Sequence, residues 1–354
     1  MTTYAIISPC RDEADHIEAC IASIAAQTVP PTLWVIVDDG STDRTPAVLA
    51  AAAAKHPFIR ILRRENRGQR SVGPGVIEAF YAGLDSIGNP TPMSSLTVRD
   101  GSDSAATPQT TPAHVAPQAA APFPFDFLCK LDADLELPPA YFQRCIEEMA
   151  RDPHLGNFSG KVYLRDTDGS LHYERMGDEN AIGAAKFYRT ACFNDINGFV
   201  RHAGWDGIDG HMCRLRGWVA RSIDDPNLRI IHRRLMGSSH LSVAHGRRRW
   251  GLAKWYMGSS LPYMLAVATY RLAERPFILG GLWILQGYLQ AMLARKPRLE
   301  TPGFRAHLRR YEWSSLIRGK SRTADAAHAR IRASGQRATP TRPRERDAQA
   351  SATP

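Results

Sequence analysis

The sequence is poor in features that would assign it to several large classes. Its six cysteines, Cys10, Cys20, Cys129, Cys145, Cys192 and Cys213, include no C-x-x-C pair and no other zinc spacing, which argues against a structural zinc site or a dithiol redox motif. Several lie in apolar runs, as buried free thiols do, and this usage fits a reducing cytoplasm. A strand-like run begins almost at the amino terminus, with no basic region ahead of an apolar core, so no secretory leader is expected. No G-x-G-x-x-G follows that run. Pro9 and Cys10 stand where glycines would let a pyrophosphate approach, which excludes a dinucleotide-binding start. Gly73-Pro-Gly75 lacks a Walker lysine and follows no clear strand, so it reads as a turn. Long apolar runs are also scarce. Leu261–Tyr270 and Phe277–Ala294 are free of charge, but a spanning helix needs about 20 apolar residues. Gln286, Gln290 and three glycines weaken the longer run further. A helical hairpin lying on the membrane, or packed on the domain, is expected instead of a span.

Charge is present but unevenly placed. The chain of 354 residues carries a net charge of +10. From Arg295 to the end there are 15 Lys/Arg and 5 Asp/Glu, so the tail holds the whole excess and the body is balanced. No aromatic follows Trp313, so the basic residues lack the interleaved rings of a nucleic-acid surface, and no nucleic-acid partner is expected. An anionic membrane surface suits them better.

The first half alternates short apolar runs with helical patterns. Tyr4–Ser8, Trp34–Val37, Ile59–Leu62 and Phe127–Leu131 read as buried parallel strands. Ile17, Cys20, Ile21 and Ile24 recur at helical spacing, and Thr45-Pro46 reads as a helix cap with proline in the first turn. Helices are expected over Val76–Leu84 and Tyr141–Met149. Such alternation predicts an α/β fold with a doubly wound, mostly parallel sheet. Asn89–Pro124 is rich in Pro, Ser, Thr, Ala and Gln and reads as a disordered spacer. After Asn157 the texture becomes mixed β, with strands over Phe158–Leu164 and Leu171–Glu174 about the turn Asp166–Gly169. A second low-complexity stretch, from near Ala324 to Pro354, is expected to be disordered. The resulting organisation is a nucleotide-binding half (1–88), an insertion (89–124), a metal and acceptor half (125–250), an apolar, membrane-associating helical region (251–320) and a basic disordered tail (321–354).

Polar clusters fall where chemistry is expected. In open α/β sheets ligands bind beyond the carboxyl ends of the strands. The first strand runs into Ser8-Pro-Cys-Arg-Asp-Glu13, the second into Asp38-Asp-Gly-Ser-Thr-Asp43 and the fourth into Asp132-Ala-Asp134. Crowded carboxylates repel and call for a cation. An Asp-x-Asp pair offers hard oxygen donors suited to Mg²⁺ or Mn²⁺, ions that leave their other positions to water and substrate phosphates.

Ile6–Glu13, the run Val35-Ile-Val-Asp-Asp-Gly-Ser-Thr-Asp43 and Lys130-Leu-Asp-Ala-Asp134 resemble the signatures of family 2 glycosyltransferases with the GT-A fold, over roughly Thr3 to His232 without the insertion. The resemblance implies an inverting transfer of sugar from a nucleotide-sugar, with a UDP-sugar the first choice of donor. It assigns Glu13, Asp38 and Asp39 to the base and ribose, and Asp132 and Asp134 to the diphosphate and its metal. It also implies a catalytic aspartate ahead of an arginine-bearing helix. Gly204-Trp-Asp-Gly-Ile-Asp-Gly-His211, followed by Arg214-Leu-Arg-Gly217, stands in that place without the usual Glu-Asp pair. Asp206 and Asp209 are both candidates; Asp209 is preferred as nearer a helix start expected at His211, where it would otherwise serve as a cap.

Arg67 and Arg70 stand where they can reach the donor phosphates, or be solvated. Alternation along its strand is expected to point Lys130 away from the site. His232 is a candidate third metal ligand, or a structural histidine. Arg249-Trp250 resembles the Q-x-x-R-W motif of processive members, but Gly246 replaces the glutamine. Trp205, Arg249 and Trp250 are the acceptor candidates, since tryptophans stack on sugar faces or fill cores. The acceptor expected is a lipid-linked sugar or growing polysaccharide at the inner face of the cell membrane. A nucleotidyltransferase would show a glycine-rich, lysine-bearing first loop, which is absent. A dead scaffold would not be expected to keep all three acidic clusters.

Overall fold

The computed structural model describes residues 2–68, 73–88, 124–166, 168–174, 177–233, 242–272 and 277–335. The expected insertion (except Pro124), Arg70 and the last nineteen residues therefore lie outside the described residues. The first half runs β1 (Tyr4–Cys10), α1 (Ile17–Ala25), β2 (Leu33–Asp38), α2 (Thr45–Lys55), β3 (Ile59–Arg63), α3 (Pro74–Gly88) and β4 (Phe127–Leu131). Then follow β5 (Leu135–Glu136), α4 (Tyr141–Arg151), β6 (Leu155–Ser159), β7 (Lys161–Arg165), β8 (Leu171–Tyr173), β9 (Ala185–Arg189), α5 (Thr190–Asp195), α6 (Trp205–Leu215), β10 (Val219–Ser222) and β11 (Arg229–His232). Five helices close the chain: α7 (Val243–Met257), α8 (Leu261–Arg271), α9 (Leu279–Leu293), α10 (Phe304–Arg318) and α11 (Lys320–Ser334).

The main sheet has seven strands in the order β10-β6-β9-β4-β1-β2-β3, and β9 alone runs against its neighbours. This is the expected α/β, mostly parallel sheet. A second, four-stranded sheet, β5-β11-β7-β8, supplies the mixed β region. Alternation along each strand splits the apolar residues between two layers. Tyr4, Ile6, Trp34 and Ile36 join the core under α1, α2 and α4, while Ile7, Val35 and Val37 join the core under α3 and α6. The single strand expected over Phe158–Leu164 is broken at Gly160 into β6 and β7, one in each sheet. Thr45 lies inside α2 and is not its cap; its hydroxyl instead accepts from the Glu13 amide at 2.8 Å.

The tail departs from expectation. Residues from Ala324 to Ser334 form most of α11 and are not disordered. Alanines favour the helix, and Ala324, His328 and Ile331 recur at helical spacing and are buried. Ile331 reaches the main core, and the Arg332 guanidinium clamps Asp152 at the end of α4 with contacts of 2.8 and 2.9 Å. The apolar region is likewise helical, and α7 crosses the boundary expected at residue 250. Trp255, Tyr263, Met264, Ile284, Tyr288 and Ala291 form a small core of their own. Among the described residues no helix is long and apolar enough to cross a membrane.

Candidate functional site

Strands β4, β1 and β2 are adjacent and parallel, so their carboxyl ends open on one edge. Cys10 sits opposite Asp38, and the Asp39 amide donates to the Cys10 carbonyl at 2.8 Å. The three acidic clusters read from the sequence thus lie on one edge of the sheet. The loops are tied together locally. Asp38 accepts from the Ser41 amide at 2.8 Å, closing an Asx turn, and Asp12 accepts from the Thr42 amide at 2.8 Å. Arg11 donates to Asn66 at 2.9 Å, joining the first loop to the one after β3. Glu13 is buried beside them. Asp39 receives two guanidinium groups, Arg64 at 2.8 Å and Arg67 at 2.8 Å, and Arg67 also pairs with Glu78. Arg67 is therefore held by carboxylates, and these pairs place a cationic rim beside the Asp38-Asp39 turn.

Beyond β4, Asp132 and Asp134 each have a cationic or potentially cationic partner within the protein. Lys130 points into the site, contrary to the simple alternation argument: its ammonium pairs with Asp132 and donates to the Gly183 carbonyl at 2.8 Å. The loop before β9 comes close enough to receive it. His232 Nε2 lies 3.2 Å from an Asp134 oxygen, while its buried Nδ1 has no partner among the described residues. Although its side chain is 35% exposed, partial desolvation pushes the Asp132 carboxyl above the usual carboxylate range; Lys130 opposes this, and the Asp134 charge adds to it. For His232 burial pulls the other way, but the Asp134 hydrogen bond and the nearby carboxylates outweigh it, so its pKa is raised.

Two carboxylates two residues apart on an open strand end fit a hard divalent cation whose other ligands are water and a diphosphate. His232 adds an imidazole against one of those carboxylates. Among the described residues no group of three His, Cys, Asp or Glu side chains is arranged to hold a metal by itself.

The largest correction concerns α6. The helix begins at Trp205, six residues before the expected start, because Gly204 adopts φ +83° and turns the chain into it. Both aspartates are therefore inside the helix, and Asp209 is not a cap. Asp206 lies in the first turn and is exposed, with a carboxylate oxygen 3.1 Å from where a Cβ on Gly183 would stand. Asp209 is 2% exposed; its carboxylate pairs with the Lys186 ammonium and accepts the Tyr188 hydroxyl. Burial raises its pKa, against the opposing pull of Lys186 and Tyr188. Lys186 also donates to the Asp206 carbonyl at 2.8 Å, tying the start of α6 to β9.

Lys186 and Tyr188 escaped the sequence reading. Their signal was a lysine alternating with aromatics in the run Ala185–Arg189, which only the antiparallel placement of β9 turns toward α6.

The acceptor candidates divide. Trp205 is 8% exposed, with its ring under the ammonium groups of Lys130 (5.1 Å) and Lys186 (5.5 Å), so it braces the site and does not present a free stacking face. Trp250 packs on the α8–α9 core, with Arg271 over its ring at 5.5 Å. Arg249 precedes Ala253 by one turn on α7, and Ala253 is the residue that crowds Gly204, 2.8 Å from the position of an added Cβ. Arg249 thus shares the face of α7 that lies on the start of α6.

Residues 5–72 match the sequence profile described as Glycosyl transferase family 2. No curated protein matches the chain. Among solved structures it is similar to the mannosyltransferase PcManGT from Pyrobaculum calidifontis in complex with GDP-Man and Mn²⁺, at 17% identity and TM-score 0.46, covering 94% of this chain and 88% of that one. It is also similar to residues 1–349 of TarS from S. aureus in complex with UDP-GlcNAc, at 15% identity and TM-score 0.46, covering 94% of this chain and 88% of that one.

Proposed function

We propose that this glycosyltransferase, of family 2 by its match over residues 5–72, binds a nucleotide-diphosphate-sugar at the joined ends of β1, β2 and β4 and passes the sugar to an acceptor hydroxyl with inversion. The observation that carries this reading is the convergence of the three acidic clusters on adjacent parallel strands. Glu13, Asp38 and Asp39 would face the base and ribose, with Arg67 and Arg64 fixing the Asp39 carboxylate. Asp132 and Asp134 would hold the Mg²⁺ or Mn²⁺ and, through it, the diphosphate. When bound, that cation would neutralise charge developing on the leaving nucleoside diphosphate.

Asp206 is the proton acceptor in this proposal. A base must reach the acceptor hydroxyl in its charged form. Asp206 is exposed at the mouth of α6, whereas Asp209 is sealed and already neutralised by Lys186. As the acceptor oxygen bonds to the anomeric carbon, the bond from that carbon to the phosphate oxygen breaks. The hydroxyl proton passes to Asp206, and the bonding electrons leave with the nucleoside diphosphate. Asp209 and Lys186 position the helix that presents Asp206, and Arg249 faces the same region from α7. The acceptor we propose is a lipid-linked sugar or surface polysaccharide met at the inner face of the cell membrane, with a UDP-sugar the first donor to test.

Asp206→Asn separates these roles. Transfer should fall by at least about 100-fold, the scale of a lost general base, while titration calorimetry shows the nucleotide-sugar bound as tightly as in the parent. Retained transfer in Asp206→Asn would exclude it as the base.

A further inference from the structure

The α7–α9 layer carries a surface that the transfer reaction does not use. From Ser242 to Leu299 the sequence has nine Lys/Arg and a single acidic residue, Glu274. The same stretch holds a concentration of exposed large apolar side chains: Tyr270 is 71% exposed, Phe277 59%, Ile278 60%, Leu279 48% and Leu282 50%. These gather at one end of the layer, whereas Leu265, 47% exposed, lies in the middle of α8 and Leu293, 78% exposed, at the far end of α9. Ala268 of α8 packs on Gly281 of α9, which brings Tyr270 and Arg271 to the amino-terminal end of α9. Gly251 of α7 lies on Ile284 and Tyr288, and Trp255 near the end of α7 donates to the Lys296 carbonyl just past the end of α9 at 2.9 Å, so α7 runs alongside α9 in the same direction. Val243, 63% exposed at the start of α7, therefore falls at that same end. Arg248, anchored to Gln286 at 2.8 Å, and Arg271, over Trp250, flank it.

The conformation adds a second observation. Ile278 has φ +65°, the left-handed region that a β-branched side chain enters only at a cost. Its amide is held by the Leu272 carbonyl at 2.9 Å, and the Leu279 amide by the Phe277 carbonyl at 2.7 Å. Two large apolar side chains are thus held outward on a constrained turn. A solvated loop would gain nothing from that arrangement. Apolar projections ringed by cations are what an anionic lipid surface receives, with side chains entering the acyl boundary and guanidinium groups meeting phosphates.

We propose that Phe277, Ile278, Leu279 and Leu282, with Tyr270 and Val243 beside them, form a wedge that seats in the interface of an anionic bilayer, and that Arg248 and Arg271 contact its phosphates. This inference stands apart from the donor site, since it requires lipid binding whether or not sugar is transferred. Its consequence is orientation: α7, whose Ala253 lies on Gly204 at the start of α6, would hold the crevice at a set height above the lipid.

Sedimentation of the full chain with vesicles tests it. Vesicles of phosphatidylcholine mixed with phosphatidylglycerol should carry the protein down, and vesicles of phosphatidylcholine alone should not. Phe277→Ser with Leu282→Ser should lower the partition coefficient by at least about tenfold, and Phe277→Leu should preserve it. Arg248→Gln should weaken binding about fivefold, with less effect in high salt. Circular dichroism shows that the variants fold, and donor hydrolysis in solution shows that the catalytic site is intact in each. Equal sedimentation of the parent and the double serine variant would overturn the proposal. So would a dimer in the ultracentrifuge that the double serine variant converts to monomer, because a second copy would then be what covers the face.

Discussion

His328 gives a pH prediction whose size follows from its place in the fold. It is buried on α11, against α6, with no partner for Nε2 among the described residues. Burial pushes its pKa down from 6.5 to about 3, and the neighbouring charges of Arg214, Arg332 and Arg221 add to that, against Asp152. The folded state thus holds the ring neutral where the unfolded chain protonates it. A histidine with a depressed pKa is neutral in both states above about pH 6.5, and stability is lost as pH falls below that value toward about 3. At pH 5 the loss is about 1.4 kcal/mol for each of the 1.5 pH units below 6.5, or about 2 kcal/mol. That figure hardly depends on how far below 5 the folded pKa lies. His307, lowered to about 4, and His211, well below its ordinary value, push in the same direction. Asp209 and Glu174, raised by burial, push in the other, so a pH profile of the parent alone would mix these effects. The clean quantity is the difference between the parent and His328→Leu in reversible urea unfolding. Leucine nearly matches histidine in volume but differs in shape, so the difference measured at pH 7.5 serves as the baseline. By pH 5 the difference should shift in the variant's favour by about 2 kcal/mol. Parallel profiles at the two pH values would refute the claim that α11 buries a neutral histidine against α6.

The site makes two further predictions. Lys186→Met leaves the Asp209 carboxylate buried without its cation and should cost about 3–5 kcal/mol by thermal unfolding; adding Asp209→Asn should restore part of that loss, whereas additive costs would mean the pair is not coupled. Gly204→Ala forces φ +83° on an alanine whose methyl meets Ala253 at 2.8 Å, and should cost at least about 1 kcal/mol while disturbing the start of α6. Transfer, measured as kcat, should then fall more than donor affinity, measured as the donor dissociation constant.

The parallel half of the fold was legible because its strands bury both faces and read as short apolar runs, and because Thr45-Pro46 and Pro57 mark the limits of a helix. Because these strands run parallel, their carboxyl ends set the three acidic clusters on one edge. The start of α6 was not legible. It depends on Gly204 adopting a left-handed conformation, and the sequence around it, Gly204-Trp-Asp-Gly-Ile-Asp-Gly, reads as a loop because its three glycines disfavour helix. The proposal of Asp206 over Asp209 as the base rests on that single displacement. Lys130 and Lys186 were hidden for another reason. Lys130 also pairs with Asp132 two residues on, but the Gly183 carbonyl that fixes it and the Asp209 partner of Lys186 come from segments more than twenty residues away, which alternation along one strand cannot reveal. The helix over 320–334 was masked by a composition shared with solvated tails; its few apolar contacts, Ala324 and Ile331, count only once the core offers a place for them.

The central claim is that the Asp132-Asp134 edge serves a nucleotide-sugar through a divalent cation. The most direct measurement is nucleoside-diphosphate release from a panel of nucleotide-sugars, with Mn²⁺ and with the metal chelated. Release is expected from at least one donor, should require the cation, and should be lost in Asp134→Ala with the variant still folded by circular dichroism. Release that persists at full rate in Asp134→Ala, or that is unaffected by chelation, would contradict the central claim.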